Sequence, residues 1–159
     1  MTLAPNPAHS EERRIPDMAQ RELVELTPEE CYTLLGSAQV GRLVYLDDLG
    51  PIAVPVNYSI AGTDVVFRVE GGAKARAIRQ PVLAFEVDGI DPGDQSGWSV
   101  LIRGQGHEVP AAEVPGLLQR MDGDFPRPWA SGVHNIWLRI TPSAVTGRRL
   151  GPRRSAPAF

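Results

Sequence analysis

Along much of the chain, apolar and polar residues alternate with a period of two, the pattern of half-buried strands. Arg42-Leu43-Val44-Tyr45-Leu46 reads as a strand, and Asp47-Asp48-Leu49-Gly50 as the turn that follows it. Ile52 to Ile60 makes a second strand, interrupted in character by Pro55. Ala61-Gly62-Thr63-Asp64 turns the chain again, into Val65-Val66-Phe67-Arg68-Val69. Two tight hairpins in succession predict an antiparallel meander. Val82 to Val87 returns to strand, Asp88 to Gly97 reads as a polar loop, and Trp98 to Gly106 forms a long alternating strand. In that strand Ser99, Leu101 and Arg103 share one face, and Trp98, Val100 and Ile102 the other. A final strand runs from about Asn135 to Ile140 and resumes at Ala144-Val145.

Helical signals are confined to short pieces. In Thr27-Pro28-Glu29-Glu30 a threonine N-cap, a proline at the first helical position and a capping-box glutamate start a helix together. Leu34 and Leu35 supply its apolar face and Gly36 stops it, so it spans about Pro28 to Leu35. Ala73 to Arg79 is a helical heptad stopped by Pro81, and Val109 to Met121 reads as a helix with Pro110 near its start. Six or so short strands with small helices between them predict a mainly β fold, a closed or partly closed antiparallel barrel. Residues 1–20 have no sustained apolar periodicity and read as a disordered or arm-like leader. The arginine-rich end from Arg148 reads as a tail, which places the folded domain at about 21–150 and leaves 151–159 trailing.

Composition narrows the classes. Sixteen glycines and fifteen prolines suit many short elements joined by turns. A net charge of −3 without a clustered basic excess argues against a nucleic-acid partner. No apolar run approaches the ~18 residues of a membrane span. The single cysteine, Cys31, cannot form an internal disulfide, and a cytoplasmic protein is the economical expectation. The sixteen basic residues are fifteen arginines and one lysine, Lys74. A proteome-wide preference for arginine explains the bias; a lysine that survives it can mark a place where a compact ammonium is needed.

The chemistry available is limited. His9, His107 and His134 are scattered, and with Cys31 they make no metal-ligand spacing. No G-x-S-x-G elbow is present, and Gly71-Gly72-Ala73-Lys74 lacks the full phosphate-loop pattern. Glu86, Asp88, Asp91 and Asp94 read as a solvated acidic stretch. What remains is a phosphate-sized site, where a strand ending in Phe67-Arg68 feeds the Gly71-Gly72 turn and a helix beginning near Ala73-Lys74. Free N–H groups at a helix start attract an anion, and Arg68 and Lys74 bring two cations to the ends of one turn. On the residues alone, a plain connector with two solvated cations is an equal reading.

From Thr27 to about Leu150 the chain resembles the pyridoxamine 5'-phosphate oxidase-like family of flavin-binding split barrels. The resemblance lies in the order and spacing of Gly41-Arg42-Leu43-Val44-Tyr45, Pro51-Ile52-Ala53-Val54-Pro55-Val56-Asn57-Tyr58, Val66-Phe67-Arg68-Val69 and Gly72-Ala73-Lys74. Ala84-Phe85-Glu86-Val87-Asp88 and Gly97-Trp98-Ser99-Val100 complete it. It implies a homodimer of six-stranded antiparallel split barrels, with FMN in the groove between subunits. Val54, Pro55, Val56 and Asn57 would lie along the isoalloxazine, partly through backbone groups. Arg68 and Lys74 would hold the phosphate, with Phe67, Gly72 and Ala73 in the same segment. Trp98 and Ser99 match a strand that reaches the flavin in this family.

The true oxidase carries an arginine and a lysine on the strand matching Ile52–Tyr58, and this chain has neither. The resemblance therefore implies a divergent FMN-dependent oxidoreductase acting on an unassigned small molecule. Its alternatives are a deazaflavin-dependent reductase on the same fold, or a non-catalytic flavin- or haem-binding or sensor protein.

Overall fold

Two hairpins set the sheet. In the first, the Asp47 carboxylate accepts from the backbone N–H groups of Leu49 (2.8 Å) and Gly50 (3.1 Å), a side-chain-built turn. In the second, Gly62 opens a two-residue turn at φ +65°, which a residue with a Cβ adopts only under strain. The computed structural model describes residues 21–70, 80–121, 125–127 and 136–152. Its elements are β1 (Arg21–Glu25), α1 (Pro28–Ser37), β2 (Val40–Asp47), β3 (Gly50–Ala61) and β4 (Asp64–Val69). They continue with β5 (Leu83–Asp91), β6 (Ser96–Glu108), α2 (Val114–Arg120) and β7 (Ile136–Pro152). The helix expected over Ala73 to Arg79 lies outside the described residues.

The sheet runs β1-β7-β4-β3-β2-β5-β6, and a further β6–β7 ladder closes six strands into an antiparallel barrel. This is the expected architecture, with β1 added as a seventh strand against the second half of β7. The seam between β2 and β5 is short, covering Arg42–Val44 against Ala84–Glu86.

Four features differ from the sequence pattern, each because a distant partner decides them. The expected tail from Arg148 is strand, because β7 continues through Pro152 with β6 on one side and β1 on the other. The break expected near Pro142 is absorbed by a register shift opposite Arg103/Gly104, and the Ser143 hydroxyl donates to the Arg103 carbonyl at 3.1 Å. The expected polar loop shortens to four residues, because Asp88 to Asp91 stay laddered to Ser99 to Ser96. The Val109 N–H donates to the Trp137 carbonyl (2.8 Å), tying that segment to β7, so the helix starts only at Val114.

Inside the barrel Leu43, Phe67, Phe85, Val100, Ile102, Leu138 and Ile140 are fully buried. Each such side chain stabilises by roughly 1.5–3 kcal/mol relative to exposure. The Tyr58 and Phe85 rings meet edge to face at 4.9 Å. α1 carries the expected capping box and packs Cys31 and Leu35 against the barrel. A Cβ on Gly147 would lie 2.5 Å from Cys31 Sγ, so glycine there lets α1 approach β7. A second cluster of Ala61, Val66, Val109, Leu117 and Met121 forms outside the barrel, where α2 covers β3 and β4.

Candidate functional site

β3 has one edge without a strand partner. The Tyr58 N–H donates back to Gln39 (3.2 Å), so even-numbered residues of β3 turn their backbone groups toward β2. Odd-numbered residues turn theirs to the opposite edge, and β4 pairs along that edge only from Tyr58 onward. From Pro51 to Val56 that edge is unpaired among the described residues. Pro51 and Pro55 fall on it and lack an N–H, which blunts an edge that would otherwise recruit another strand. The interruption at Pro55 is thus an edge feature, and the strand runs through it. Ala53 keeps an N–H and a carbonyl directed outward, and Pro55 a carbonyl.

This geometry divides the four residues expected beside an isoalloxazine. Val54 and Val56 turn their side chains to the core and their peptide groups into the β2 ladder. Pro55 and Asn57 turn both outward. Ala53 shares that edge and was not singled out from the sequence; the alternation across Pro55 was the signal for it.

β4 alternates in the same way. Phe67 is fully buried and stacks on Phe85, with ring centroids 6.5 Å apart, so it is a core residue. Arg68 turns outward and lies over Trp137, its guanidinium carbon 5.1 Å from the ring centroid. One step past the last β3–β4 pair, Arg68 stands beside Asn57. The Arg68 Nε is buried and has no acceptor among the described residues. Leaving a buried donor unpaired costs about 1–3 kcal/mol, which an oxyanion at this point would recover. Arg139, on the same face, also has a buried unpaired Nε, and its terminal nitrogen is 4.0 Å from Glu113. The residues present therefore suit an anionic cofactor tail. Gly72, Ala73 and Lys74 lie outside the described residues.

Trp98 and Ser99 lie elsewhere on the barrel. Trp98 packs inward against the core and across Gly89, where a Cβ would come within 2.5 Å of the indole nitrogen. Ser99 faces outward between Asp88 and Arg148. Trp98 and Ser99 ladder to Arg149 and Arg148 near the far end of β7, whereas Arg68 ladders to Trp137 at its start, so one chain does not bring Trp98 and Ser99 to Arg68.

Around β6 the charges are internally paired. Arg42 on β2 bonds Glu86 at 2.8 Å and also Asp88, both on β5. Asp88 first and Glu86 second hold the guanidinium protonated beyond its already high ordinary range. Two members of the acidic stretch are thus ion-pair partners on a strand, visible only once β2 and β5 are seen to adjoin. Of the others, Asp91 caps its own turn through the Gly93 and Asp94 N–H groups, and Asp94 sits 3.7 Å from Arg21. Beside this cluster Leu23, Leu150 and Ile90 are exposed and fall in one row across β1, β7, β6 and β5, with Gly97 between Leu150 and Ile90.

A cleft of about 790 Å³ opens between the end of α1, the outer side of β3 and the end of α2; Asn57, Arg120 and Arg127 are among its lining residues. Burial pushes the Tyr58 hydroxyl well above its ordinary pKa, and it donates to the Leu35 carbonyl at 2.5 Å. No group of three potential metal ligands occurs among the described residues.

Comparison with known proteins agrees with this architecture. An uncharacterized protein of Mycobacterium tuberculosis is 33% identical over 144 residues, 87% of this chain and 92% of its own. A solved FAD-binding protein from Mycobacterium smegmatis is 29% identical with a TM-score of 0.61, over 80% of this chain and 98% of its own. An FAD-binding protein from Mesorhizobium loti shares the fold with a TM-score of 0.65 at 22% identity, over 83% of this chain and 99% of its own. The sequence profile of the pyridoxamine 5'-phosphate oxidase family matches residues 27–149, and the chain belongs to that family.

Proposed function

We propose that this chain is a flavin-binding oxidoreductase that takes FMN and acts on a small molecule. The observation that carries the reading is Arg68: a cation on the outer barrel face with a buried, unpartnered Nε, next to the open edge of β3. Arg68 would take an oxygen of the cofactor phosphate, and Trp137 beneath it fixes the direction of the guanidinium. Lys74 would add a second cation. Ala53, Pro55 and Asn57 would line the ring system, with the Ala53 N–H and carbonyl meeting its heteroatoms. The two FAD-binding proteins of the same fold support a flavin. When bound, a flavin supplies the redox chemistry, and the protein's part is to position it and exclude side reactions.

The working form in this reading is a homodimer. The face carrying Leu23, Leu150 and Ile90 also holds Arg42, Glu86 and Asp88, so it offers apolar area and both signs of charge. A two-fold interface pairs a patch with itself and needs that self-complementarity.

The test is the absorbance spectrum of the purified protein, followed by anaerobic addition of a nicotinamide donor. A flavin band that bleaches and is restored by an acceptor is expected. A protein that neither carries nor takes up flavin overturns the cofactor reading. One whose bound flavin resists every donor overturns the enzymatic one.

A further inference from the structure

We infer that the cleft between α1, β3 and α2 holds a small oxyanion, a carboxylate or a phosphate, through Arg120 and Arg127, and that this ligand is the substrate. The second half rests on the flavoprotein reading; the first does not. The cleft's volume of about 790 Å³ lies within the range usual for small-molecule sites. Both arginines are exposed, and among the described residues no carboxylate pairs with either. No acidic residue among those described lines the cleft, in a chain whose net charge is −3. Two other clefts contrast with it: one mixes Arg42 and Arg148 with Glu86, Asp88 and Asp91, the other Arg103 and Arg148 with Glu25 and Glu86. In both, acids stand among the lining arginines; here, among the described residues, none does.

The end of α1 would be expected to repel an anion, since a helix C-terminus carries partial negative charge. The Leu34 and Leu35 carbonyls near that end are occupied. The Tyr58 hydroxyl donates to Leu35 and the Ser37 hydroxyl to Leu34, at 2.5 and 2.7 Å. The Gln39 side chain, exposed and without a partner, supplies a neutral donor on the same wall. Phe125, 42% exposed, adds apolar surface to the lining. Two guanidiniums and an apolar surface in one cleft suit a ligand with one anionic end and a flat or aliphatic body. Asn57 lines the cleft and also adjoins Arg68, which sets the ligand next to the proposed cofactor position without sharing its phosphate cation.

The experiment titrates inorganic phosphate, and separately succinate, into the FMN-loaded protein at low ionic strength, read by calorimetry. Phosphate binding alone assigns a phosphate ester, and succinate binding alone a carboxylic acid; binding of both assigns a general oxyanion site. Arg120→Gln/Arg127→Gln should weaken that binding about tenfold or more, while FMN affinity stays within about twofold. Should the double variant fail to fold, Arg127→Gln alone should still cost about threefold. Binding of neither anion overturns the inference, as does an unchanged affinity in the variants. A matching loss of FMN affinity also overturns it, because the cleft would then be the cofactor's own phosphate site. If the protein takes up no FMN, the cofactor reading fails separately, and the same titration on the unliganded chain still decides the anion site.

Discussion

Two faces of the barrel use the same side chain in opposite ways. On the β3–β4 face, Arg68 and Arg139 lie against protein with an unpaired Nε each, and Arg120 and Arg127 line a cleft without acid partners. On the β5–β6 face, Arg42 is gripped by Glu86 and Asp88, and Arg148 stands beside Ser99 in a row that also holds Glu25. Charge neutralised within the chain needs no ligand, and the apolar row beside it offers surface to another protein. Charge left unneutralised and partly desolvated is costly, and an anion lowers that cost. The first face is therefore proposed for small-molecule binding and the second for assembly.

The largest effect expected from this contrast is on oligomeric state. Leu150→Asp would place a carboxylate in the middle of the apolar row, and the dimer should dissociate about 100-fold more readily, read by sedimentation. FMN affinity should stay within about twofold, because the proposed phosphate position lies on the other face. An unchanged dimer would move the interface elsewhere on the barrel.

A smaller effect is expected at Tyr58, which joins α1 to the barrel. Tyr58→Phe removes its bond to the Leu35 carbonyl and should cost about 0.5–1.5 kcal/mol in unfolding free energy at neutral pH. Because burial raises the folded-state pKa of this hydroxyl, the folded form keeps its proton where the unfolded form loses it. The parent's stability contribution is therefore complete below the ordinary tyrosine pKa and declines as the pH rises above it. Tyr58→Phe should flatten that alkaline decline. Parallel pH profiles for parent and variant would contradict the assignment.

Arg42→Ala should have the smallest effect on the isolated subunit, no more than about 1 kcal/mol, because the pair is substantially exposed. It should leave FMN affinity within about twofold. A loss of FMN comparable to that from an Arg68 substitution would erase the distinction between the two faces.

How much of this was legible in the sequence depends on the distance between partners. The β2–β3–β4 meander and the α1 capping box are local, and Asp47, Gly62 and Thr27 announce them directly. β1 and the second half of β7 were not legible, because Leu23 and Leu150 belong to strands that only their mutual pairing and β6 create. Arg68 was visible because a glycine turn and a cation adjoin in sequence. Arg120 and Arg127 were not, since their meaning comes from having no acid opposite them among the described residues, which no local pattern records. Val54 and Val56 were expected beside a flavin because the family resemblance sets the Val54–Asn57 stretch along its ring. The parity of the strand turns them inward and leaves Ala53, Pro55 and Asn57 on the open edge.

The most direct measurement compares FMN with riboflavin, which lacks the phosphate, by fluorescence quenching in the parent, Arg68→Gln and Lys74→Ala. The parent should bind FMN far more tightly than riboflavin. Each substitution should weaken FMN by about one to two orders of magnitude, as the loss of a charge-assisted hydrogen bond implies, and leave riboflavin nearly unchanged. Equal FMN affinity in the parent and Arg68→Gln would contradict the placement of the cofactor phosphate on the β3–β4 face.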